Sequence, residues 1–235
     1  PAARAAKVPV VVNTVHGLYA TPTDALPRRV VVYALERLAA SCSQAELLQS
    51  REDLPVLRGL RVPADRMTVL GNGVDLDRFR PPTLEERATS RAELGIGPDT
   101  VAVGVVGRLV WEKGLQEVID MATRLRATRP GARVLVAGPV DAEKSDGLTE
   151  TDLERVSAES GIVFLGGRSD IERFYAALDI YVLASYREGF PRSAMEAAAS
   201  GLPLVLTDIR GCRQAVDPEV NGLLVSPGDA EALTS

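Results

Sequence analysis

Two stretches of the sequence combine residue types that could bind a phosphorylated molecule rich in hydroxyl groups. The first, Glu188-Gly-Phe-Pro-Arg-Ser-Ala-Met-Glu196, carries two carboxylates at the predicted start of a helix. A helix N-terminus offers free N–H groups and a positive dipole end to an anion, and Gly189 allows close backbone approach. Because a carboxylate accepts O–H bonds well, this pair suits a sugar or ribose in addition to phosphate. On spacing alone, both carboxylates could also be solvated charges at a helix end.

The second stretch, Gly107-Arg-Leu-Val-Trp-Glu-Lys113-Gly114, supplies two cationic groups of different shape. Arg108 carries a planar fork of donors and Lys113 a flexible ammonium, a combination that suits a diphosphate. Lys113 is also one of only three lysines among the 27 basic residues. The alternative interpretation is a surface loop in which Gly114 serves only the geometry of the turn.

The elements that must position these stretches alternate between apolar strands and helices. Continuously apolar strands separated by helices predict a parallel sheet covered on both faces, and hence an α/β fold. In such sheets ligands bind at the C-terminal ends of strands, which is where both stretches lie. The predicted strands span 101–106, 133–137, 162–165, 180–184 and 204–207, and the predicted helices 115–129, 150–160, 170–178, 193–200 and 229–234.

The chain is predicted to divide near a proline-rich join. Before it, the pattern predicts strands over 8–15, 45–49 and 67–70 and a helix over 27–40. Pro-Pro at 81–82 and Gly-Pro at 97–98 are strong breakers that enclose a short charged helix over 84–94. We therefore predict a first domain over 1–80, a linker over 81–98 and a second domain over 99–235.

Composition and missing motifs exclude several classes of protein. The net charge of −5 argues against general nucleic-acid binding. One histidine and two cysteines give no metal-binding spacing and no disulfide framework. No apolar run approaches the ~20 residues of a spanning helix, and the first residues do not form a secretion signal, so a cytoplasmic protein is expected. The sequence also lacks the signatures of dinucleotide dehydrogenases, P-loop nucleotidases, serine hydrolases and zinc proteases.

Taken together and in order, the motifs resemble the donor site of the retaining family 4 glycosyltransferases. These have the GT-B architecture of two Rossmann-like domains. The resemblance rests on Arg108 with Lys113, on the Glu-x7-Glu spacing of Glu188 and Glu196, and on four further blocks. Those blocks are Thr14-Val-His-Gly17, Asn72-Gly-Val-Asp75 with Phe79-Arg-Pro81, Thr207-Asp-Ile-Arg-Gly-Cys-Arg213 and Asn221-Gly-Leu-Leu-Val-Ser-Pro227. Compared with the family, the first strand and its glycine-rich loop and the last helices are missing. We therefore expect an incomplete N-terminal domain and a chain truncated at both ends.

The resemblance implies a role for each site residue. Arg108 and Lys113 would bind the donor diphosphate and neutralise the departing nucleotide. Glu188 would hold the transferred sugar, and His16 would reach the donor sugar or the reacting centre. Taken without the resemblance, His16 could be a hydrogen-bonded histidine at a strand end. The substrate-binding residues that the resemblance implies are Glu188, Gly189, Phe190, Pro191, Glu196 on the ribose, Arg168 at the base pocket, and Asn72.

The reaction implied by the resemblance is transfer of a sugar with retained configuration, without a metal or cofactor. A UDP-sugar is the favoured donor, and the acceptor is expected to be lipid-linked or a polysaccharide, as in bacterial surface-polysaccharide enzymes. Arg28-Arg29 on an apolar helix is consistent with peripheral contact at the inner face of the cell membrane. An ordinary amphipathic core helix would give the same pattern.

Three alternatives remain open at this point. A nonhydrolysing UDP-sugar 2-epimerase shares the two-domain architecture but would need more acid–base groups than one histidine and one glutamate pair. A non-catalytic fragment that binds nucleotide-sugars fits the same motifs. Asp75-Leu-Asp77 could form the Asp-x-Asp metal site of the other large glycosyltransferase fold, although it lies beside the linker.

Overall fold

The computed structural model describes residues 1–18, 20, 24–140 and 148–235, and it divides into two compact units. The units are Pro1–Gly73 and Val74–Ser235. The division thus falls before the predicted linker, because the helix predicted there packs on the second unit. From that helix, Arg87 donates to the carbonyl oxygen of Leu178 at 2.6 Å, and Arg91 donates to Asp179 Oδ2 at 3.0 Å.

The first unit contains the three predicted strands in one parallel sheet. Helices α1 (Ala2–Ala5), α2 (Leu26–Cys42) and α3 (Asp53–Gly59) accompany strands β1 (Val12–Val15), β2 (Ala45–Leu48) and β3 (Met67–Val69). The strands lie in the order β1-β2-β3. The first strand is shorter than predicted, because it begins only where Val12 pairs with Ala45, while Val8 and Val10 stay exposed.

The second unit forms a six-stranded parallel sheet within the described residues. Its strands are β4 (Val101–Val106), β5 (Ala132–Ala137), β6 (Val163–Phe164), β7 (Ile180–Leu183), β8 (Leu204–Thr207) and β9 (Gly222–Val225). Its helices are α4 (Leu84–Glu93), α5 (Leu115–Thr128), α6 (Glu150–Ser160), α7 (Ile171–Ala177) and α8 (Arg192–Ala199). The strand order is β6-β5-β4-β7-β8-β9. The α/β fold with parallel sheets is therefore confirmed.

Two elements of the second unit differ from the prediction. Strand β9 was not predicted; it is a four-residue strand that pairs in parallel with β8. Residues 229–234 form turns instead of the predicted helix, and the Asp229 carboxylate accepts a hydrogen bond from the N–H of Ala232 at 2.8 Å.

The sheet of the second unit is buried on both faces, as its apolar strands predict. In β4, Ala102 belongs to one core cluster, and Val103 and Val105 belong to the cluster on the opposite face. Strand β7 alternates in the same way, with Tyr181 on one face and Val182 on the other. This packing holds the central strands rigidly and fixes the loops that leave their ends.

Candidate functional site

The two predicted stretches follow neighbouring strands at the centre of the sheet. From β4 the chain proceeds to β5 and β6 on one side, and from β7 it proceeds to β8 and β9 on the other. The order therefore reverses between β4 and β7. In doubly wound sheets such a reversal leaves a crevice at the carboxyl ends of the strands, where ligands bind. Residues 107–114 and 184–191 border this point.

The structure brings Lys113 and Glu188 into direct contact. Lys113 Nζ lies 2.6 Å from Glu188 Oε1, and the side chains are 26% and 12% exposed. Arg108 lies on the same loop as Lys113, with an exposed side chain, and its carbonyl oxygen accepts from the N–H of Val110 at 2.9 Å. The contact shows that the two predicted stretches meet in the structure. It also means that the Glu188 carboxylate neutralises the Lys113 ammonium.

Backbone contacts hold the two loops together. Gly114 has φ +72°, and a Cβ there would overlap the carbonyl oxygen of Ala184 and lie 2.5 Å from its carbonyl carbon. The carbonyl oxygen of Glu112 accepts from the N–H of Tyr186 at 3.1 Å, and the Glu112 carboxylate lies 2.9 Å from the Arg187 guanidinium. The loop that carries Lys113 is therefore fixed against the end of β7.

The loop after β8 closes on the same place. A Cβ at Gly211 would lie 2.6 Å from the carbonyl oxygen of Gly189 and 2.7 Å from that of Glu188. Next to it, Cys212 is fully buried, and burial together with the negative charge of Glu188 raises the pKa of its thiol to about 12. The thiol is therefore protonated at neutral pH and packs as a small side chain, not as a nucleophile.

Helix α8 directs its N-terminus toward the Glu188 loop. Pro191 occupies the N-cap position, no side chain caps the helix, and its first turn has no acidic residue. The first N–H groups of such a helix have no intrahelical acceptor, so they and the helix dipole favour an anion. Glu196 is the fifth residue of the helix, and its side chain is 15% exposed.

Buried tyrosines support this helix, and the sequence analysis did not identify them. The Tyr175 hydroxyl lies 3.1 Å from Glu196 Oε2, and the Tyr181 hydroxyl donates to Ser193 Oγ at 2.8 Å. Burial raises the pKa of both phenols above the usual value, so both remain donors. The only signal for these tyrosines in the sequence is that each places a hydroxyl group among apolar neighbours, Tyr175 in helix α7 and Tyr181 in strand β7.

Arg168 follows β6, as predicted for the base pocket. Its guanidinium donates to Asp170 Oδ2 at 2.6 Å, and this bond holds the pKa of that carboxyl below its usual value. Its Nε atom is buried without a hydrogen-bond partner among the described residues. The N–H of Gly138 donates to the carbonyl oxygen of Gly166 at 2.8 Å and joins the loops after β5 and β6. The assignment of Arg168 to a nucleobase stays a prediction.

Two predicted site residues belong to the first unit. His16 follows β1 and lines a cleft of about 280 Å³ together with Asn13 and Glu36. Asn72 lies near the end of that unit, where its Oδ1 accepts from the N–H of Gly73 at 3.1 Å. The contacts described above therefore join Lys113 to Glu188, and Glu196 lies on the helix that follows the Glu188 loop. The roles of all the predicted site residues stay predictions.

The Asp-x-Asp alternative finds no geometric support. Asp75 Oδ1 accepts from the N–H groups of Asp77 and Arg78 at 3.1 and 3.2 Å, so this carboxylate forms a local turn. Across the described parts of the chain, no group of three potential metal-ligating side chains occurs. Nor does any helix in those parts combine the length and apolar character that crossing a membrane requires.

Comparison with known proteins gives one family. The family model described as glycosyl transferases group 1 matches residues 86–235. The chain is 30% identical over 234 residues to the UDP-Gal:alpha-D-GlcNAc-diphosphoundecaprenol alpha-1,3-galactosyltransferase of Escherichia coli, with 98% of this chain and 60% of that protein covered. It is 29% identical to the N,N'-diacetylbacillosaminyl-diphospho-undecaprenol alpha-1,3-N-acetylgalactosaminyltransferase of Campylobacter jejuni, with 99% and 61% covered. The chain thus spans about 60% of the length of these curated relatives.

A solved structure shows the same fold. The crystal structure of Anabaena Alr3699/HepE in complex with UDP and glucose superposes with a TM-score of 0.82 at 24% identity, covering 99% of this chain and 62% of that one. This likeness confirms the predicted GT-B-like fold, in which two Rossmann-like units each contain a parallel sheet.

Proposed function

Because the chain belongs to the glycosyl transferases group 1 family, we propose that its second unit binds a nucleotide-sugar and that the protein transfers the sugar to a lipid-linked or polysaccharide acceptor. The donor we propose is a UDP-sugar. The observation that carries the proposal is the meeting of Lys113, Glu188 and the N-terminus of α8 at the central carboxyl ends of the sheet. The Escherichia coli relative is named for UDP-Gal and a diphosphoundecaprenol-linked sugar, which supports both substrate classes.

Donor binding, as proposed, exchanges the partner of Lys113. Glu188 pairs with this lysine at 2.6 Å, so neither charge is buried alone. A diphosphate carries more negative charge than one carboxylate and can also accept from Arg108 and from the first N–H groups of α8. Glu188 then becomes available to accept hydrogen bonds from the hydroxyls of the sugar.

The remaining donor contacts follow from position. Glu196 lies further along α8, so it would accept from the ribose hydroxyls while the helix N-terminus holds phosphate. The backbone around Gly189, Phe190 and Pro191 would border the sugar, and Arg168 would border the base. This division places carboxylates against hydroxyls and N–H groups against phosphate, which matches the hydrogen-bonding capacity of each group.

The chemistry we propose breaks the bond between the anomeric carbon and the diphosphate oxygen. Arg108 and Lys113 would neutralise the negative charge that develops on that oxygen, so the step as proposed is written without a cofactor. To retain the anomeric configuration, the acceptor hydroxyl must attack the anomeric carbon from the face from which the nucleotide departs. On that face the hydroxyl proton can pass to the departing phosphate oxygen, so the charges balance. As in the retaining family 4 glycosyltransferases, the product would keep the configuration of the donor.

The acceptor determines where such a protein would work. A diphosphoundecaprenol-linked acceptor is held in a membrane, so we propose peripheral contact of the protein with the inner face of the cell membrane. Helix α2 supports this, since it exposes Val30, Val31, Leu35 and Leu38 beside Arg28. An apolar face flanked by basic side chains is the pattern of helices that lie on anionic membranes.

Calorimetry on the 235-residue chain with UDP, GDP and ADP tests the donor site. We expect selective UDP binding, and at least a tenfold increase in Kd for Lys113→Met and for Glu196→Ala, because each removes a charged hydrogen-bonding group worth about 1.5–3 kcal/mol. The matched control is Arg155→Met on α6, where an exposed arginine pairs with Asp152 and Glu159.

Affinity unchanged by both site variants would refute the donor-site assignment. If Arg155→Met weakened UDP binding as much as Lys113→Met, the weakening would reflect the net charge of the chain and not a contact between Lys113 and the nucleotide. Incubation with a UDP-sugar panel and a lipid-linked acceptor then separates the reaction types, since a transferase yields a glycosylated acceptor and an epimerase an altered donor.

A further inference from the structure

The hydroxyl of Tyr175 lies where it can fix the orientation of the Glu196 carboxylate. It is 3.1 Å from Glu196 Oε2 and 3.1 Å from the carbonyl oxygen of Ser193. A phenol has one proton, so these two acceptors compete for it, and the charged carboxylate is the stronger acceptor. We propose that Tyr175 is a positioning residue that prepares Glu196 to recognise ribose hydroxyls. The inference rests on the proposed function, because it takes Glu196 as the ribose contact.

The surroundings of Tyr175 leave its ring little freedom. The residue is fully buried, and the rings of Phe79 and Tyr181 pack edge-on against it at centroid distances of 5.9 and 6.0 Å. The hydroxyl therefore points to α8 from a fixed place in the core. Because burial also raises the pKa of this phenol, the hydroxyl keeps its proton and donates at every pH used for binding.

The hydrogen bond leaves one oxygen of Glu196 for a ligand. Glu196 Oε2 faces the tyrosine, whereas Oε1 lies 4.0 Å from the guanidinium of Arg192, whose side chain is 73% exposed. A solvated ion pair at that distance holds a carboxylate weakly. The buried hydroxyl on Oε2 is thus the contact that sets the carboxylate plane, and Oε1 is presented to the ribose.

Tyr181 provides a matched control. It is a fully buried tyrosine of the same core cluster, and its hydroxyl also reaches α8, but it donates to Ser193 Oγ at 2.8 Å instead of to Glu196. Tyr181→Phe therefore removes the same chemical group from the same core and leaves the Glu196 contact intact. A general loosening of α8 would affect both variants.

The test measures ribose recognition separately from affinity. The Kd values for UDP and for 2′,3′-dideoxy-UDP are measured by calorimetry for the unaltered chain, Tyr175→Phe, Tyr181→Phe and Glu196→Ala. The quantity compared between these four proteins is the Kd for 2′,3′-dideoxy-UDP divided by the Kd for UDP. We expect Glu196→Ala to bring the ratio close to one. Tyr175→Phe should lower it about fivefold, since a net hydrogen bond is worth ~1 kcal/mol, and Tyr181→Phe should leave it within about twofold.

Each result bears on one of the two claims. A ratio that Glu196→Ala does not change refutes Glu196 as the ribose contact. A folded unaltered chain that does not bind UDP refutes the proposed UDP donor site, and with it the positioning role that rests on that site. If Glu196→Ala lowers the ratio but Tyr175→Phe and Tyr181→Phe have equal ratios, the positioning role of Tyr175 is overturned while the donor site stands. If Tyr175→Phe does not fold, Tyr175→Met removes the same hydroxyl with a flexible apolar side chain, and the same comparison applies.

Discussion

A methyl group added at Gly114 should force apart the loops that carry Lys113 and Glu188. The backbone of Gly114 has φ +72°, a conformation that alanine adopts only with strain. Its Cβ would also overlap the carbonyl oxygen of Ala184, at the end of β7. This obstacle is backbone held by the central strands and cannot turn aside as a flexible side chain would. Gly114→Ala should therefore lower both the stability of the second unit and its affinity for UDP.

Two other glycines of the second unit allow the cost of backbone strain to be separated from the cost of steric overlap. Gly107 has no positive φ and no atom within 4 Å of a Cβ, so Gly107→Ala should change the free energy of unfolding by less than about 0.5 kcal/mol. Gly166 has φ +66° with open space, so Gly166→Ala should cost about 1–2 kcal/mol of backbone strain alone. Gly114→Ala adds overlap worth about 1–3 kcal/mol, for about 2–5 kcal/mol in total.

Urea unfolding followed by tryptophan fluorescence measures these differences. Trp111 is the only tryptophan of the chain, and it belongs to the second unit beside Gly114. We expect the order of stability Gly107→Ala, then Gly166→Ala, then Gly114→Ala, and a Kd for UDP at least tenfold higher in Gly114→Ala than in Gly107→Ala. If Gly114→Ala is as stable as Gly166→Ala within about 0.5 kcal/mol, the contact with Ala184 does not hold the loops together.

Three further predictions concern other parts of the chain. Burial raises the pKa of Asp179, but hydrogen bonds from the Ala102 N–H and from Arg91 outweigh burial and leave the pKa below its usual value. The hydrogen bonds to the Asp179 carboxylate therefore stabilise the fold above the unfolded pKa of about 3.9, and this contribution is lost as pH falls through the folded pKa. At pH values below about 4 the urea concentration at the unfolding midpoint should decrease, and it should decrease less in Asp179→Asn. His16→Ala should leave UDP affinity unchanged by calorimetry, and in a longer chain that transfers sugar it should reduce transfer; full transfer there would return His16 to a structural role. Leu35→Ser on α2 should weaken co-sedimentation with vesicles that contain anionic lipid, and equal sedimentation of both chains would argue against membrane contact through α2.

The alternation of strands and helices in the second unit was predictable because its strands are continuously apolar and its helices have one apolar face. Strand β4 and helix α6 have the predicted bounds, and most other elements differ by one or two residues. Residues 229–234 were not predictable in this way. Their composition suits a helix, but the short segment forms turns in which Asp229 accepts a hydrogen bond from the chain three residues on. The brief edge strand β9 gave too short an apolar run to be recognised.

The sequence predicted where in the sheet the candidate site lies, but it did not predict the side-chain contacts within it. Both motifs follow strands, so topology alone brings them to one edge of the sheet. The contact between Lys113 and Glu188 joins residues 75 positions apart and depends on which strands are neighbours, which the sequence pattern does not specify. The tyrosine beneath Glu196 was missed for a related reason, because a buried aromatic residue at helical spacing is read as part of the core.

The ion pairs and hydrogen bonds of the candidate site bear on how the proposed donor would be selected. Lys113 already has Glu188, Glu196 already has the Tyr175 hydroxyl, and Arg168 already has Asp170. Donor binding would therefore exchange partners and would not simply add contacts, so each donor group contributes only the difference between the new bond and the old one. UDP alone would take Lys113 from Glu188 and leave that half-buried carboxylate without its cation. A UDP-sugar would also bring hydroxyls that donate to the released carboxylate. If the proposed function holds, the Lys113–Glu188 pair would make the site favour a nucleotide that carries a sugar over the nucleotide alone, which is the discrimination that a sugar-transferring protein needs between its substrate and its product.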